Sequence, residues 1–435
     1  MPEVARQLIL LRLVPSNKIR VLLPILFLVP VIGVLSSKAM VPILLVGLLF
    51  LAGAHIKCGS FRLRFPVIFT VGLVVLLSWS VVGLTVSPLA KQGFQLVGLL
   101  AGLLLAGMIF LGLAGKFDET ERRKLEFWSI LGFFSAIFLM AFEAATTNFL
   151  SRILRGLDWP DIIGSGGSGE NLNSFLNNGI VILTLIMWPV LTVFVSQKKR
   201  VLALLSIILM VGLSIFMNHI ASLAAITAGI LIWGAAYLSR KVTARLIATL
   251  FVIATISAPI LVQQFTASTN LDDLTNSTVG RKLPPSAIHR LFIWKFAAQS
   301  SLQRPIFGWG LDASRSLPGG GKKFVVYDRS VGEGKTKLIY KDLLLPLHPH
   351  NQLIQIWLEL GAVGAVIVAL FGGIYIWKLA RIERDQTPVF GLVISYLCYA
   401  NLSFGAWQNW WIATIFLVAF IWQLLISNQA SPKPI

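Results

Sequence analysis

Long apolar runs recur along this chain, and they limit its fold more than any other feature. The hydrocarbon core of a bilayer is about 30 Å thick, which a helix crosses in roughly 20 residues. Inside lipid the backbone must satisfy its own hydrogen bonds, so such runs are read as helices. Twelve candidates lie near residues 20–36, 40–56, 65–86, 92–115, 126–146, 178–196, 201–217, 220–238, 244–262, 352–377, 388–404 and 407–427. Mean hydropathy is +0.81 and only 13% of residues are charged, where a soluble protein carries about a quarter. These features predict an all-α polytopic membrane protein with about 12 transmembrane helices. The first run follows Arg6, Arg12, Lys18 and Arg20 in the manner of a signal peptide. It lacks an A-x-A-like site and more spans follow, so an uncleaved helix is expected.

Orientation follows from the basic residues of alternate connections. On one side the tails and short connections hold 21 Lys and Arg; on the other the short connections hold four, Lys38, Lys91, Arg152 and Arg155. A loop over 263–350 carries the remaining 12, and long translocated loops escape the rule. Both termini are therefore expected in the cytoplasm, with the long loop outside. The chain divides into spans one to nine (1–262), the loop (263–350) and spans ten to twelve (351–435). The net charge of +19 is then mostly a matter of topology, and it predicts no nucleic-acid partner. Cys58 and Cys398 give no disulfide framework.

Chemistry is expected where polar residues gather on the outward side. In the connection 147–177, Phe149, Leu150, Ile153, Leu154 and Leu157 alternate with Arg152, Arg155 and Asp158 as in a helix lying at the interface. A flexible "GSGGSG" tract follows. Structureless loops as long as 263–350 are usually functional. Within it, "PPSAIHRLFIWKFAAQSSLQ" predicts a helix over about 285–302, with Ile288, Leu291, Phe292, Phe296 and Ala297 on its apolar face. Arg290 and Trp294 are four apart on one side. The Gly-rich turn "GWGLDASRSLPGGGKK" can bring backbone amides to an anion. Arg holds phosphate bidentately and keeps its charge, but composition alone also allows Arg290, Arg281, Lys282 and Lys295 to be cations at the lipid interface.

The loop ends in "HPHN", residues 348–351. Histidine moves protons near neutral pH, so His348 and His350 are read as a site, a polar cap or a metal pair; two ligands without a third point only weakly to metal. Glu359 falls about two turns into the next span, on roughly the side of Asn351. A carboxylate at that depth is a functional hypothesis by default. Gly361 and Gly364 permit close packing. Asn218–His219, at another outward turn, is read as a cap.

Over about 285–365 the chain resembles the O-antigen ligase and O-antigen polymerase superfamily. The resemblance rests on His350-Asn351, an apolar run, and Glu359-x-Gly361-x-x-Gly364. Upstream, Arg290-x-x-x-Trp294 and Pro305-x-x-Gly308-x-Gly310 match further elements. It implies a GT-C-type glycosyltransferase of the bacterial inner membrane with one large periplasmic loop containing short helices. The implied donor is a glycan on undecaprenyl diphosphate and the implied acceptor a sugar hydroxyl of lipid A–core, with no cofactor or metal. Under it, His350 is the general base and Arg290, helped by Arg281 or Lys295, binds the diphosphate. His348, Asn351, Glu359, Trp294, Gly308 and Gly310 support them, Glu359 or Asn351 orienting the imidazole. Relatives carry Arg after an Asn near the start of the sixth span, where this chain has Asn177 and Asn178. Polymerase is the alternative within the class. A lipid-linked glycan flippase is the alternative outside it, disfavoured by spans that read as mostly uninterrupted and by polar groups that lie on the outward side.

Overall fold

The computed structural model describes residues 17–57, 63, 67–115, 117–156, 176–268, 271, 277, 285–328 and 337–426. Arg281, Lys282, Cys58, Leu157, Asp158 and the "GSGGSG" tract lie outside them. Every apolar run becomes a helix. These are α1 (Asn17–Leu35), α2 (Met40–Lys57), α3 (Val67–Thr85), α4 (Ala90–Gly112), α5 (Glu119–Ala145), then the short α6 (Phe149–Arg155). Next come α7 (Asn177–Ser196), α8 (Arg200–Phe216), α9 (Ile220–Leu238) and α10 (Arg240–Ser268). The long loop folds into α11 (Pro285–Gln303) and the strands β1 (Lys323–Asp328) and β2 (Lys337–Leu343); α12 (Gln352–Lys378), α13 (Pro388–Leu402) and α14 (Asn409–Ile426) complete the chain.

Among the described residues, ten helices are long and apolar enough to cross a membrane. The remaining two of the twelve runs form helices of 17 residues (α8) and 15 residues (α13). Both still connect the same two ends of the bundle. At one end Arg155 donates to Leu35 O, Asn178 to Ser37 Oγ, and Ser222 Oγ meets Tyr399 Oη at 2.7 Å. At the other, Gln197 donates to Glu126, Arg240 to Ile382 O, and Trp233 to Thr387 Oγ1.

A helix that is hydrophobic all round belongs inside a bundle, and α7 is that helix. Every residue from Gly179 to Phe194 is buried, packed by α1, α5, α8, α13 and α14. Trp188 is fully buried and donates its indole N–H to Ser395 Oγ at 2.9 Å. Its ring fills the space that a Cβ on Gly229 of α9 or Gly391 of α13 would take.

The expectation of helices alone in the loop needs correction, because β1 and β2 pair antiparallel with an irregularity between Val326 and Tyr327. "KFVVYD" and "KLIYKDL" carry the β-branched and aromatic residues that favour strands. Phe324 of β1 stacks on Phe292 of α11 at 4.6 Å, and His289 Nε2 bonds Leu343 O of β2 at 2.9 Å. The hairpin therefore braces the outer side of α11.

The short helix α6 exposes Phe149, Ile153 and Leu154 and buries Arg152. Buried Glu143 of α5 accepts from the free Leu150 and Ser151 amides at its N-terminus.

Candidate active site

The start of α12 brings the two histidines together and gives them different tasks. Asn351 caps the helix, its Oδ1 accepting from Ile354 N at 3.0 Å. His350 sits just before it with φ of 53°, a left-handed conformation that costs a non-glycine residue roughly 1–3 kcal/mol. Two hydrogen bonds hold it there. Its backbone N–H donates to His348 Nδ1 at 3.2 Å, and its ring Nδ1 lies 2.8 Å from Ser403 O. A carbonyl only accepts, so His350 carries its proton on Nδ1 and presents a bare lone pair at Nε2. Among the described residues no protein group bonds that Nε2.

His348 is spent on structure. Because its Nδ1 accepts from His350, its proton is on Nε2, which faces the Gln408 amide at 3.1 Å. The Gln408 group must then turn its oxygen toward the ring, an assignment that follows from the hydrogen bonds. Both His348 nitrogens are occupied, and the rings lie 4.3 Å apart.

Helix α11 approaches the pair through the face predicted for it. Trp294 donates its indole N–H to Pro349 O at 2.9 Å, which brings the face of α11 that carries Arg290, one turn earlier, toward the histidines. The guanidinium field reaches His219, His348 and His350 alike. Burial, then His350 and the Arg315 and Arg290 charges, push His348 down to about 3. Burial is also the main cause at His350, held at about 4, with Arg290 lowering it further and the Ser403 carbonyl opposing. His219 is lowered to about 4 by burial and by Arg290. His219 caps α9 through Ser222 N, as expected. Lys295 is half-buried, about 140° round α11 from Arg290, off the face that meets the histidines.

Glu359 and Asn351 do not orient the imidazole as expected: Ser403 O does, and Asn351 is spent as the cap. Fully buried Glu359 takes four donors. Its Oε1 accepts from Ser314 Oγ at 2.5 Å and Gln355 Nε2 at 3.0 Å; its Oε2 accepts from Asp312 N at 2.8 Å and Trp407 Nε1 at 2.7 Å. Two partners come from the loop and one from the α13–α14 connection. Glu359 is thus the joint at which three segments meet.

The glycines mark a backbone crossing. At Gly361 (φ 67°, ψ −167°) α12 is interrupted, so this span is not continuous, contrary to expectation. The freed groups find partners in the Pro305–Gly310 turn. Ala362 N donates to Pro305 O at 2.7 Å, Trp309 N to Leu358 O at 2.8 Å and Gly310 N to Glu359 O at 3.0 Å. Trp79 Nε1 of α3 takes Leu360 O at 2.9 Å. A Cβ on Gly361 would fall 2.2 Å from Ile306 O, and one on Gly308 2.5 Å from the Glu359 carbonyl carbon. These amides were expected to meet an anion; they are consumed by the broken helix instead.

Two cavities flank the site. One, about 640 Å³, is walled by His348, Arg315, Lys38, Gln355, Trp407 and Gln408. The other, about 420 Å³, starts at Gln352 and Asn401 and runs between α3, α10, α12 and α13 past Phe69, Phe251, Phe371 and Tyr375. Asn178 is committed to Ser37. Among the described residues no three His, Cys, Asp or Glu side chains gather as a metal site would require.

This geometry can accept a proton at His350 Nε2 and hold a negative charge at Arg290. Residues 205–369, which span α8 to the middle of α12, match the sequence profile described as O-antigen ligase. This stretch is similar to the O-antigen ligase family domain. Over 331 residues the chain is 27% identical to a Rickettsia conorii protein named "Putative polysaccharide ligase", covering 73% of this chain and 72% of that one. A protein of the same name from Rickettsia bellii is 28% identical over 324 residues, covering 73% and 72%. No solved structure matches the chain. Arg290, Trp294, the 305–310 turn, His350 and Glu359–Gly361 all fall inside the O-antigen ligase match. Sequence reasoning had no signal for Ser403, Trp407 and Gln408. They lie in the short α13–α14 connection and act through backbone or neutral groups.

Proposed function

We propose that this protein is an O-antigen ligase of the bacterial inner membrane. In this reading it moves a polysaccharide from undecaprenyl diphosphate to a sugar hydroxyl of lipid A–core, without metal. The observation that carries it is His350 Nε2, which no group among the described residues bonds, within reach of the charge of Arg290 on α11. The family match and the relatives' names support a ligase of polysaccharide. In this reading the ten membrane-long helices and the shorter α8 and α13 all cross, and the basic residues of the short connections put both termini in the cytoplasm and the site in the periplasm. The GT-C architecture goes with this topology.

The acceptor hydroxyl oxygen bonds the anomeric carbon as the carbon–oxygen bond to the diphosphate breaks. The hydroxyl proton passes to His350 Nε2, and the departing diphosphate keeps the electron pair. Direct attack inverts the anomeric centre. Arg290 meets the charge that develops on the leaving group, the usual place for electrostatic stabilisation, and Arg281 is the proposed helper in place of Lys295, which lies on another side of α11. The apolar cavity beside Gln352 suits the polyprenyl tail. A flippase would need polar groups exposed at a broken helix, but the 305–310 turn has taken those of α12.

Lipopolysaccharide from a deletion strain tests the reading. Bare core with accumulated lipid-linked polymer is expected; core capped with a single repeat would instead identify a polymerase. Purified protein should transfer glycan from the lipid-linked donor to rough lipopolysaccharide in EDTA. Loss of transfer in EDTA would overturn metal independence.

A further inference from the structure

The cavity of about 640 Å³ on the far side of His348 has a composition that the transfer chemistry does not use. Lys38 and Arg315 line it, together with Trp407, Trp410, Gln408 and Asn409. Lys38 is one of only four basic residues in the short connections of its side, and it is exposed. Arg315 spends its Nε on Asp312 Oδ1 at 2.8 Å and is half-exposed, which leaves the outer fork of its guanidinium free for an anion. Asn409 Oδ1 is buried without a hydrogen-bond partner, as is the second amide atom of Gln408. With the Gln408 oxygen turned toward His348, that second atom is an NH2 group. Leu99 and Leu347 stand at the rim, 52% and 58% exposed, so the cavity opens beside a lipid-facing surface.

Cations, unsatisfied amides and two indoles in one concave wall match an anionic sugar. The amides pair with hydroxyls, the indoles cover an apolar sugar face, and the cations take the anion. Resting on the reading above, we propose that this cavity is the acceptor site, and that it binds a lipid-borne sugar carrying a phosphate or carboxylate group on Lys38 and Arg315. The donor diphosphate then lies on the Arg290 side, with the histidine pair between the two. Arg315 and Arg290 act on His348 from separate elements, the turn after Gly310 and α11, consistent with that division. Glu359 holds this wall together, because it binds both the turn that bears Arg315 and Trp407.

The test measures equilibrium binding of labelled rough lipopolysaccharide with a phosphorylated core to the full-length protein in detergent. Undecaprenyl diphosphate and chemically dephosphorylated rough lipopolysaccharide are the comparison ligands. The Lys38→Ala/Arg315→Ala protein should lose at least about tenfold in affinity for the phosphorylated core, since each charge-assisted contact is worth about that much. Its affinity for undecaprenyl diphosphate should not change, and Arg290→Ala should show the reverse pattern. If the anion is a phosphate, wild-type protein should bind the dephosphorylated core as weakly as the double variant does; if it is a carboxylate, wild type should keep its affinity for that core and the double variant should lose it. Lys38→Arg should restore most of the Lys38→Ala loss. Equal affinity of wild type and double variant for phosphorylated core would overturn the proposal. So would loss of undecaprenyl diphosphate binding in the double variant, which would make this the donor site. Binding is read without turnover, so a protein that binds the core through these cations yet transfers nothing would sink the ligase reading alone.

Discussion

Replacing Gly361 with alanine should dismantle the crossing between α12 and the outer loop. The new Cβ would sit 2.2 Å from Ile306 O and 2.4 Å from its carbon, and both are backbone atoms that no side-chain rotation can move. The backbone at 67°, −167° is reserved almost wholly for glycine and costs any other residue about 1–3 kcal/mol. Overpacking adds roughly 1–3 kcal/mol. If the segments part to make room, the Ala362–Pro305, Trp309–Leu358 and Gly310–Glu359 bonds weaken, each worth about 1 kcal/mol. These routes are alternatives in part, so the expected loss is about 3–5 kcal/mol rather than their total. Titration with sodium dodecyl sulfate in mixed micelles, followed by tryptophan fluorescence, reads the change. Gly102→Ala in α4 is the control, because nothing lies within 4 Å of its added Cβ, and it should be neutral or stabilising by up to about 1 kcal/mol. Equal unfolding midpoints for wild type and Gly361→Ala would refute the crossing and its role in shaping the site.

His350→Ala should cost about 10²–10⁴-fold in kcat, the usual worth of a general base. His348→Ala should cost far less, about tenfold, and His348→Asn should recover part of it because a side-chain acceptor for His350 N returns; matching losses at both positions would refute the division of roles. The pH profile of kcat/KM should stay flat from pH 7 to about 5. His350 must be neutral to take a proton, and its pKa of about 4 keeps it so where an ordinary histidine would already be charged; an acid limb near 6.5 would contradict this. Glu359→Gln should destabilise by roughly 2–4 kcal/mol in the same detergent titration. One oxygen becomes an NH2 facing two donors, and buried donors left unmet are costly; an unchanged midpoint would count against the four-donor arrangement.

The span positions were legible because lipid imposes one requirement that periodicity and hydropathy report directly. Helix α11 was legible for the same local reasons: Pro285 at its start, and Ile288 and Ala297 on its buried side. The contacts of Glu359 were not. Its spacing from Asn351 suggested a role at the imidazole, but its donors come from residues 312, 314, 355 and 407, set by the tertiary path. The amides after Pro305 misled in the same way, since no local pattern says that a broken helix will claim them. The alternation in α6 identified an apolar face, and Phe149, Ile153 and Leu154 are exposed as an interfacial helix requires, but the burial of Arg152 had no local signal.

The break in α12 also bears on how the protein is made. Until residues 305–310 are in place, the Leu358 and Glu359 carbonyls and the Ala362 amide face hydrocarbon or water without their partners, and lipid tolerates that poorly. The loop must therefore arrive on the far side before α12 can settle. Synthesis from the N-terminus delivers it in that order. A copy of the loop expressed alone would lack the carbonyls that hold its turn, so it is a key cut for one helix rather than a domain that could be borrowed.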